Sequence, residues 1–283
     1  MHLSFEYFPP KTAQGLDKLV TTTNQLKSFN PEFFSVTYGA GGSEQNQTFN
    51  TVTHLQHTCS VNTAAHLTCV GSTKEKIRML LHQYQRSGIR RLVALRGDLP
   101  SGMLGLHNEF KNAYQLIKFI RDETQNYFFI EAAAYPEMHP ETTNPKQSLE
   151  HLKMKIDAGA DRFITQYFYN TDAYFYLQEA ALKAGIHAPI IPGIMPITNY
   201  TQLARFSKIC GAQIPRWIHM HLKPIENNPE AIETFGVQFI TKFCDRLLAG
   251  GAPGLHFYTL NKVTAAAAIM NQLHLMSNFD LIA

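Results

Sequence analysis

The sequence has no run of about 18 apolar residues, the length a helix needs to cross a bilayer. Its opening, Met1-His2-Leu3-Ser4-Phe5-Glu6, lacks the basic and apolar blocks of a secretory signal. A cytoplasmic protein with no membrane partner is the expectation. Cysteine is scarce: Cys59, Cys69, Cys210 and Cys244 stand alone, with no Cys-x-x-Cys pair, which argues against a zinc knuckle or a redox dithiol and for reduced thiols. Net charge is scarce as well. A formal +3 spread along the chain, with no basic stripe and no RNA-binding motif, argues against a nucleic-acid partner and leaves small molecules as the expected ligands.

The 283 residues are 45% apolar and 17% charged, the composition of a globular protein with a sizeable core. Short β-rich runs recur at 2–8, 33–38, 62–69, 91–96, 128–135, 162–169, 189–194 and 255–260. Helical patterns separate them at 14–29, 44–58, 74–88, 109–123, 145–158 and 171–185. The segment 171–185 opens with Thr171-Asp172, carries Ala173, Leu177, Ala180, Ala181 and Ala184, and stops at Gly185, while 145–158 precedes Gly159. Strands alternating with crossover helices give an α/β fold with a parallel sheet. Eight such units in one chain favour a single (β/α)8 TIM barrel over residues 1–283, the alternative being an open doubly wound sheet. The interval 195–254 holds more than one helix, so the seventh βα unit carries an extension.

In such barrels the chemistry gathers where the strands end. Polar residues interrupt the apolar runs at those ends: Glu6, Thr37, His66, Asp98, Tyr135, Gln166 and His256. Each costs roughly 1–3 kcal/mol if buried without a partner, more if charged. Taken alone, Glu6 also reads as half of an inward ion pair and Thr37 as a β-branched strand filler. Their concentration at one end is the signal. A carboxyl in the apolar first strand has its charged form disfavoured, so Glu6 is expected to stay protonated near neutral pH and serve as a general acid. Asp98, beside Arg96 and Gly97, is easier to keep ionised, and pairing with Asp98 is one use for Arg96. Gly39-Ala40-Gly41-Gly42-Ser43-Glu44 lacks the third glycine of a dinucleotide fingerprint and the lysine of a phosphate loop. His54/His57 and His219/His221 have no companion carboxylates or cysteines with ligand spacing, so no metal is expected.

Several strings go beyond a generic barrel: Phe5-Glu6-Tyr7-Phe8-Pro9-Pro10-Lys11, Ser35-Val36-Thr37-Tyr38-Gly39-Ala40, His66-Leu67-Thr68-Cys69 and Ala94-Leu95-Arg96-Gly97-Asp98-Leu99-Pro100. Ala133-Ala134-Tyr135-Pro136-Glu137-Met138-His139-Pro140, Pro192-Gly193-Ile194-Met195-Pro196-Ile197 and His256-Phe257-Tyr258-Thr259-Leu260-Asn261-Lys262 follow in order. Together they resemble the methylenetetrahydrofolate reductase family over nearly the whole chain. The resemblance implies a TIM barrel that binds FAD at its mouth and takes hydride from NADH or NADPH. It would reduce 5,10-methylenetetrahydrofolate to 5-methyltetrahydrofolate in a ping-pong reaction that supplies methyl groups for methionine synthesis. An oligomer of identical chains is implied too.

By matching position, Glu6 resembles the acid that protonates folate N10 and opens the five-membered ring to an iminium cation. Asp98 resembles the carboxylate that stabilises that cation and tunes the flavin. Thr37, His66, Arg96, Gly97, Asp98, Tyr135, His139 and Lys155 match flavin contacts, with Ser148 and His151 on the neighbouring helix. Gln166 and Gln202 match substrate-contacting amides, Phe206 a stacking aromatic and Lys262 a substrate-side cation. The chain departs from the pattern at His151 and Met154, where an amide and an arginine are common, and at Lys262, where lysine keeps an arginine's charge but loses its planar fork. Two other readings stand beside this one: a flavin-free relative moving hydride directly from nicotinamide to folate, and a folate-binding barrel without catalysis.

Overall fold

The computed structural model describes residues 1–38, 42–97, 109–142 and 144–279. Asp98 and the stretch Gly39–Gly41 lie outside the described residues. Nine parallel strands follow one another around a barrel: β1 (His2–Tyr7), β2 (Phe33–Val36), β3 (Thr63–Thr68), β4 (Arg91–Leu95), β5 (Phe129–Ala134), β6 (Arg162–Thr165), β7 (Ile190–Ile191), β8 (Gly193–Ile194) and β9 (Gly254–Tyr258). Crossover helices surround them: α1 (Ala13–Leu26), α2 (Gly42–Cys59), α3 (Lys74–Arg86), α4 (Ala113–Thr124), α5 (Pro145–Asp157) and α6 (Thr171–Lys183). The expected extension is α7 (Tyr200–Cys210), α8 (Arg216–Leu222) and α9 (Pro229–Ala249), and α10 (Thr264–Phe279) follows β9. Among the described residues no helix is long and apolar enough to cross a membrane.

The seventh strand-like run differs from expectation in an instructive way. Pro192 cannot donate to a ladder, so 190–194 divides into two short strands. β7 bonds to β6 and β8 bonds to β9, and the two sides of the seam are thereby joined through one proline. The sixth run is shorter than expected. After β6 the Gln166 side chain accepts the Tyr167 N–H (3.0 Å), and Phe168 turns outward to stack on Tyr174. The fourth helix starts at Ala113 rather than 109, where Asn112 and Gln115 form a capping box. In α6 the cap is Asn170, one residue before the expected start, and Gly185 adopts φ 76° beyond its end.

Period-2 alternation sorts the strand residues into two layers. Leu3, Phe5 and Tyr7 of β1 pack outward, Phe5 stacking on Phe34 and Phe257 at 5.7 Å each, in the core shared with the helices. Inside the barrel, Phe33, Ala64, Val93, Ile164 and Ile191 form a separate apolar layer. Below that layer, at the N-terminal ends of the strands, four charges neutralise one another. Arg162 donates to Glu131 (2.6 Å) and Glu32 (2.9 Å), and Arg91 donates to the same two carboxylates at 2.6 Å each. The rings of Phe33 and Phe129 lie 4.5 and 4.2 Å from the Arg91 guanidinium. Glu131 is wholly buried and Arg162 nearly so.

Breaking such a pair leaves a charge stranded without water. Arg162→Met is therefore expected to lower unfolding free energy by about 3–5 kcal/mol in urea titrations. A loss below about 1 kcal/mol, the range of an exposed pair, would show that solvent reaches this end of the barrel.

Candidate active site

At the opposite end the strand termini open onto a cavity of about 1050 Å³. Glu6, Thr37, His66, Arg96, Gly97, Tyr135, His139, Ser148, His151, Lys155, Gln166 and Phe206 all line it. Residues the sequence singles out thus stand on the wall, which Tyr7, Tyr38, Thr68, Tyr114 and Tyr167 share without having been singled out. Gln202 and Lys262 do not reach it: Gln202 borders a separate shallow hollow with Asn199, Thr201 and Arg205. Lys262 is exposed in the turn after β9, and Met154 is exposed on α5.

Glu6 is the carboxyl at the centre of this wall. Its Oε2 lies 3.1 Å from His66 Nε2, at an angle unsuited to a linear hydrogen bond, and 3.4 Å from His256 Nε2. His256 Nδ1 in turn is 2.7 Å from Ser4 Oγ. Parallel pairing explains the group, since β1 sets Ser4 opposite His256 and Glu6 opposite Tyr258. Burial pushes the Glu6 carboxyl up, but the closeness of His66 and the hydrogen-bonded His256 imidazole outweighs it and brings it down to about 2. The lowered value favours the inward ion pair that the sequence also allows over a carboxyl that rests protonated. Ser4 stands two residues before Glu6 on the same strand face, a signal that period-2 alternation carries.

Tyr258 shares the cavity wall. Its hydroxyl donates to Thr165 O (2.6 Å), and its ring meets His256 edge-on at 5.2 Å. Gly193 makes this possible, since a Cβ there would stand 2.1 Å from Thr165 O and 2.6 Å from the Tyr258 ring. Gly97 adopts φ 84°, and a Cβ there would meet Thr68 at 2.9 Å.

The wall formed by β4, β5 and α5 is cationic. Lys155, on α5, donates to Ala133 O (2.7 Å), and burial lowers its ammonium to about 8. Arg96 binds both oxygens of Glu141, the longer bond at 2.8 Å. Tyr135 and His139 meet edge to face at 4.7 Å. Ser148 Oγ is buried beside them with no protein partner among the described residues. Among those residues no group of three metal-ligating side chains forms; His219 is 3.0 Å from the Tyr200 hydroxyl, and His221 stacks on Phe235.

The family model for methylenetetrahydrofolate reductase matches residues 1–274. The chain is 35% identical to 5,10-methylenetetrahydrofolate reductase of Salmonella typhimurium, over 96% of this chain and 90% of the relative. It belongs to the methylenetetrahydrofolate reductase family. Methylenetetrahydrofolate reductase (NADH) 1 of Arabidopsis thaliana is 39% identical over 96% of this chain, which spans 48% of that relative's length. The chain is thus about half as long as the plant relatives it matches. Among solved structures, a Clostridium thermocellum protein that binds two copies of 5-methyl-5,6,7,8-tetrahydrofolic acid shares the fold. Its TM-score is 0.66 at 18% identity, covering 97% of this chain and 96% of that one.

The Lys155 ammonium has a sign that solution measurements can read. Its folded pKa lies below its unfolded one, so between pH 8 and about 10.4 the unfolded chain binds more protons and stability rises with pH. Lys155→Met removes that slope. Urea titrations across this window are expected to show the variant gaining most over the parent at or below pH 8, the difference shrinking towards pH 10; a parallel pair of profiles would contradict the desolvated ammonium.

Proposed function

We propose that the chain reduces 5,10-methylenetetrahydrofolate to 5-methyltetrahydrofolate, with FAD at the barrel mouth and NADH or NADPH as the hydride source. The observation that carries this reading is a carboxyl, Glu6, held inside the cavity between two imidazoles. Family membership supports the folate chemistry. So does the folate ligand of the Clostridium thermocellum protein, and the Arabidopsis thaliana relative, a methylenetetrahydrofolate reductase (NADH), favours NADH.

The residues present fit a flavin dinucleotide. The cavity lies at the upper end of the usual range for ligand sites. The desolvated Lys155 ammonium and the orphaned Ser148 hydroxyl offer donors to a pyrophosphate, with His139 and His151 on the same wall. Thr37, His66, Arg96, Gly97 and Tyr135 would complete the flavin's surroundings. Bound there, the flavin would carry hydride from nicotinamide to folate in two separate half-reactions.

The protein's own part is proton delivery and electrostatics. Glu6 Oε2 takes a proton from an imidazole at 3.1 or 3.4 Å and passes it to folate N10, which opens the five-membered ring to the iminium. Ser4 holds the far nitrogen of His256 and so fixes the orientation of that imidazole. Gln166 and Phe206 orient the substrate ring, and Asp98 is the carboxylate assigned to stabilise the cation. Gln202 and Lys262 lie beyond the cavity wall and take the distal part of the substrate in this reading. The setting is cytoplasmic, and the product's methyl group serves methionine synthesis.

Glu6→Gln is expected to retain flavin and to be reduced anaerobically by nicotinamide at close to the parent rate, while folate reduction falls by about 10²–10⁴-fold. Stopped-flow measurement of the two half-reactions separates them. Loss of both rates together would assign Glu6 to structure, and a parent protein that takes up no flavin and turns over without it would select direct hydride transfer.

A further inference from the structure

The substrate-facing helix α7 is weakly held by its own packing. Only Leu203 and Ser207 among its residues are buried, although Phe206, Ile209 and Cys210 all face the cavity. Leu203 is its one fully buried apolar side chain, with Tyr200, Phe206 and Cys210 packed partly against the core, so what grips its ends also bears on its placement. Its start is capped by Asn199, whose side chain accepts the Gln202 N–H at 2.7 Å.

Its other end is gripped from across the mouth. Glu137, two residues beyond Tyr135 in the loop between β5 and α5, accepts the Gln213 N–H at 2.8 Å. Gln213 is two residues past Gly211, the left-handed residue (φ 76°) that ends α7. Pro140 of the same loop presses on that glycine so closely that a Cβ there would lie 2.5 Å from its ring. Glu137 is half-buried, and no lysine, arginine or histidine pairs with it among the described residues. Burial raises its carboxyl pKa, the backbone bond from Gln213 opposing it only in part. A carboxyl kept there without a cation is unfavourable for loop packing alone. What the position uses is an acceptor aimed at the segment after α7.

We infer that Glu137 is a positioning residue for folate: by tethering the chain just beyond α7 it sets where Phe206 and its neighbours meet the substrate. The tether extends to Tyr167, which lines the cavity and whose hydroxyl lies 3.1 Å from Ser207 Oγ on α7. The flavin wall is held separately, by Arg96 with Glu141 and by Lys155. Tyr135, His139 and Glu141 share the loop of Glu137, but their own contacts with each other and with Arg96 do not run through it, so loss of the Glu137 bond acts first on the α7 side.

The inference rests on the folate reading, and the test separates the two. Calorimetric titration of 5-methyltetrahydrofolate into flavin-loaded protein is expected to show Glu137→Ala binding about tenfold more weakly, the loss of roughly one net hydrogen bond. Flavin affinity and flavin reduction by nicotinamide stay at parent values. Glu137→Gln keeps a carbonyl acceptor and recovers most of the affinity. Equal losses of folate and flavin affinity, or unchanged folate affinity in Glu137→Ala, would overturn the assignment. If the parent itself binds no folate, the folate reading fails instead. The tether is then read by Trp217, the single tryptophan, four residues past Gln213 and edge-on to Phe239 at 5.0 Å. Its emission should shift in Glu137→Ala and return in Glu137→Gln, and an unchanged emission would overturn the tether.

Discussion

Ser4 stands opposite His256 and Glu6 opposite Tyr258, and on that register between β1 and β9 the whole mouth of the barrel depends. A slip of one residue would turn Ser4 and Glu6 out among the helices and bring Phe5 and Tyr7 into the cavity. The register is defended from both sides. Outward, Phe5 is stacked between Phe34 and Phe257, and Tyr7 lies 5.5 Å from Phe34. Inward, β8 lies against β9 with Gly193 level with His256, at a distance from Thr165 and Tyr258 that no Cβ allows. The acid cluster is thus a consequence of barrel closure: its imidazoles come from β3 and from the last strand, and only closure brings the last strand beside the first.

The two ends of the barrel treat charge in opposite ways. At the N-terminal end, Glu32, Glu131, Arg91 and Arg162 satisfy one another, and two phenylalanine rings cover the guanidinium groups. Nothing there needs a ligand. At the mouth, Glu6 has only imidazoles for partners among the described residues, and the Lys155 ammonium bonds a backbone carbonyl while its charge is desolvated. These groups have unspent capacity for an anion, a ring nitrogen or a proton. The apolar layer of Phe33, Ala64, Val93, Ile164 and Ile191 lies between the two ends.

The alternation of strands and helices made the barrel legible in the sequence, and the polar interruptions at the strand ends, with the family resemblance, marked part of the cavity wall. Each depends on residues close in the chain. The seam at Pro192 was harder to read, because 189–194 is as β-rich as the other runs and only pairing shows that its halves belong to different neighbours. Glu6, His66 and His256 were each legible as polar interruptions at strand ends, but not that the register brings both imidazoles within 3.1 and 3.4 Å of the carboxyl, which lowers a pKa that burial alone would raise. Glu131 and Arg162 interrupt strands just as Glu6 does, at the end where no chemistry was sought. Glu137 sits inside a motif that drew attention to Tyr135 and His139, and its partner, a backbone N–H beyond α7, leaves no side-chain signal.

An ionised Glu6 and a proton donor at Glu6 are compatible once the ligand is considered. The effect that raises this carboxyl's pKa is desolvation, and the effects that lower it are the imidazoles. In the proposed folate reading, a flat ring packed against Glu6 would add to its desolvation and leave the pairing with the imidazoles in place, so the balance would move towards the protonated carboxyl. Folate N10 would then be the destination of the proton in that reading. The separations of 3.1 and 3.4 Å are short enough for a proton to pass between an imidazole and the carboxyl once that balance moves.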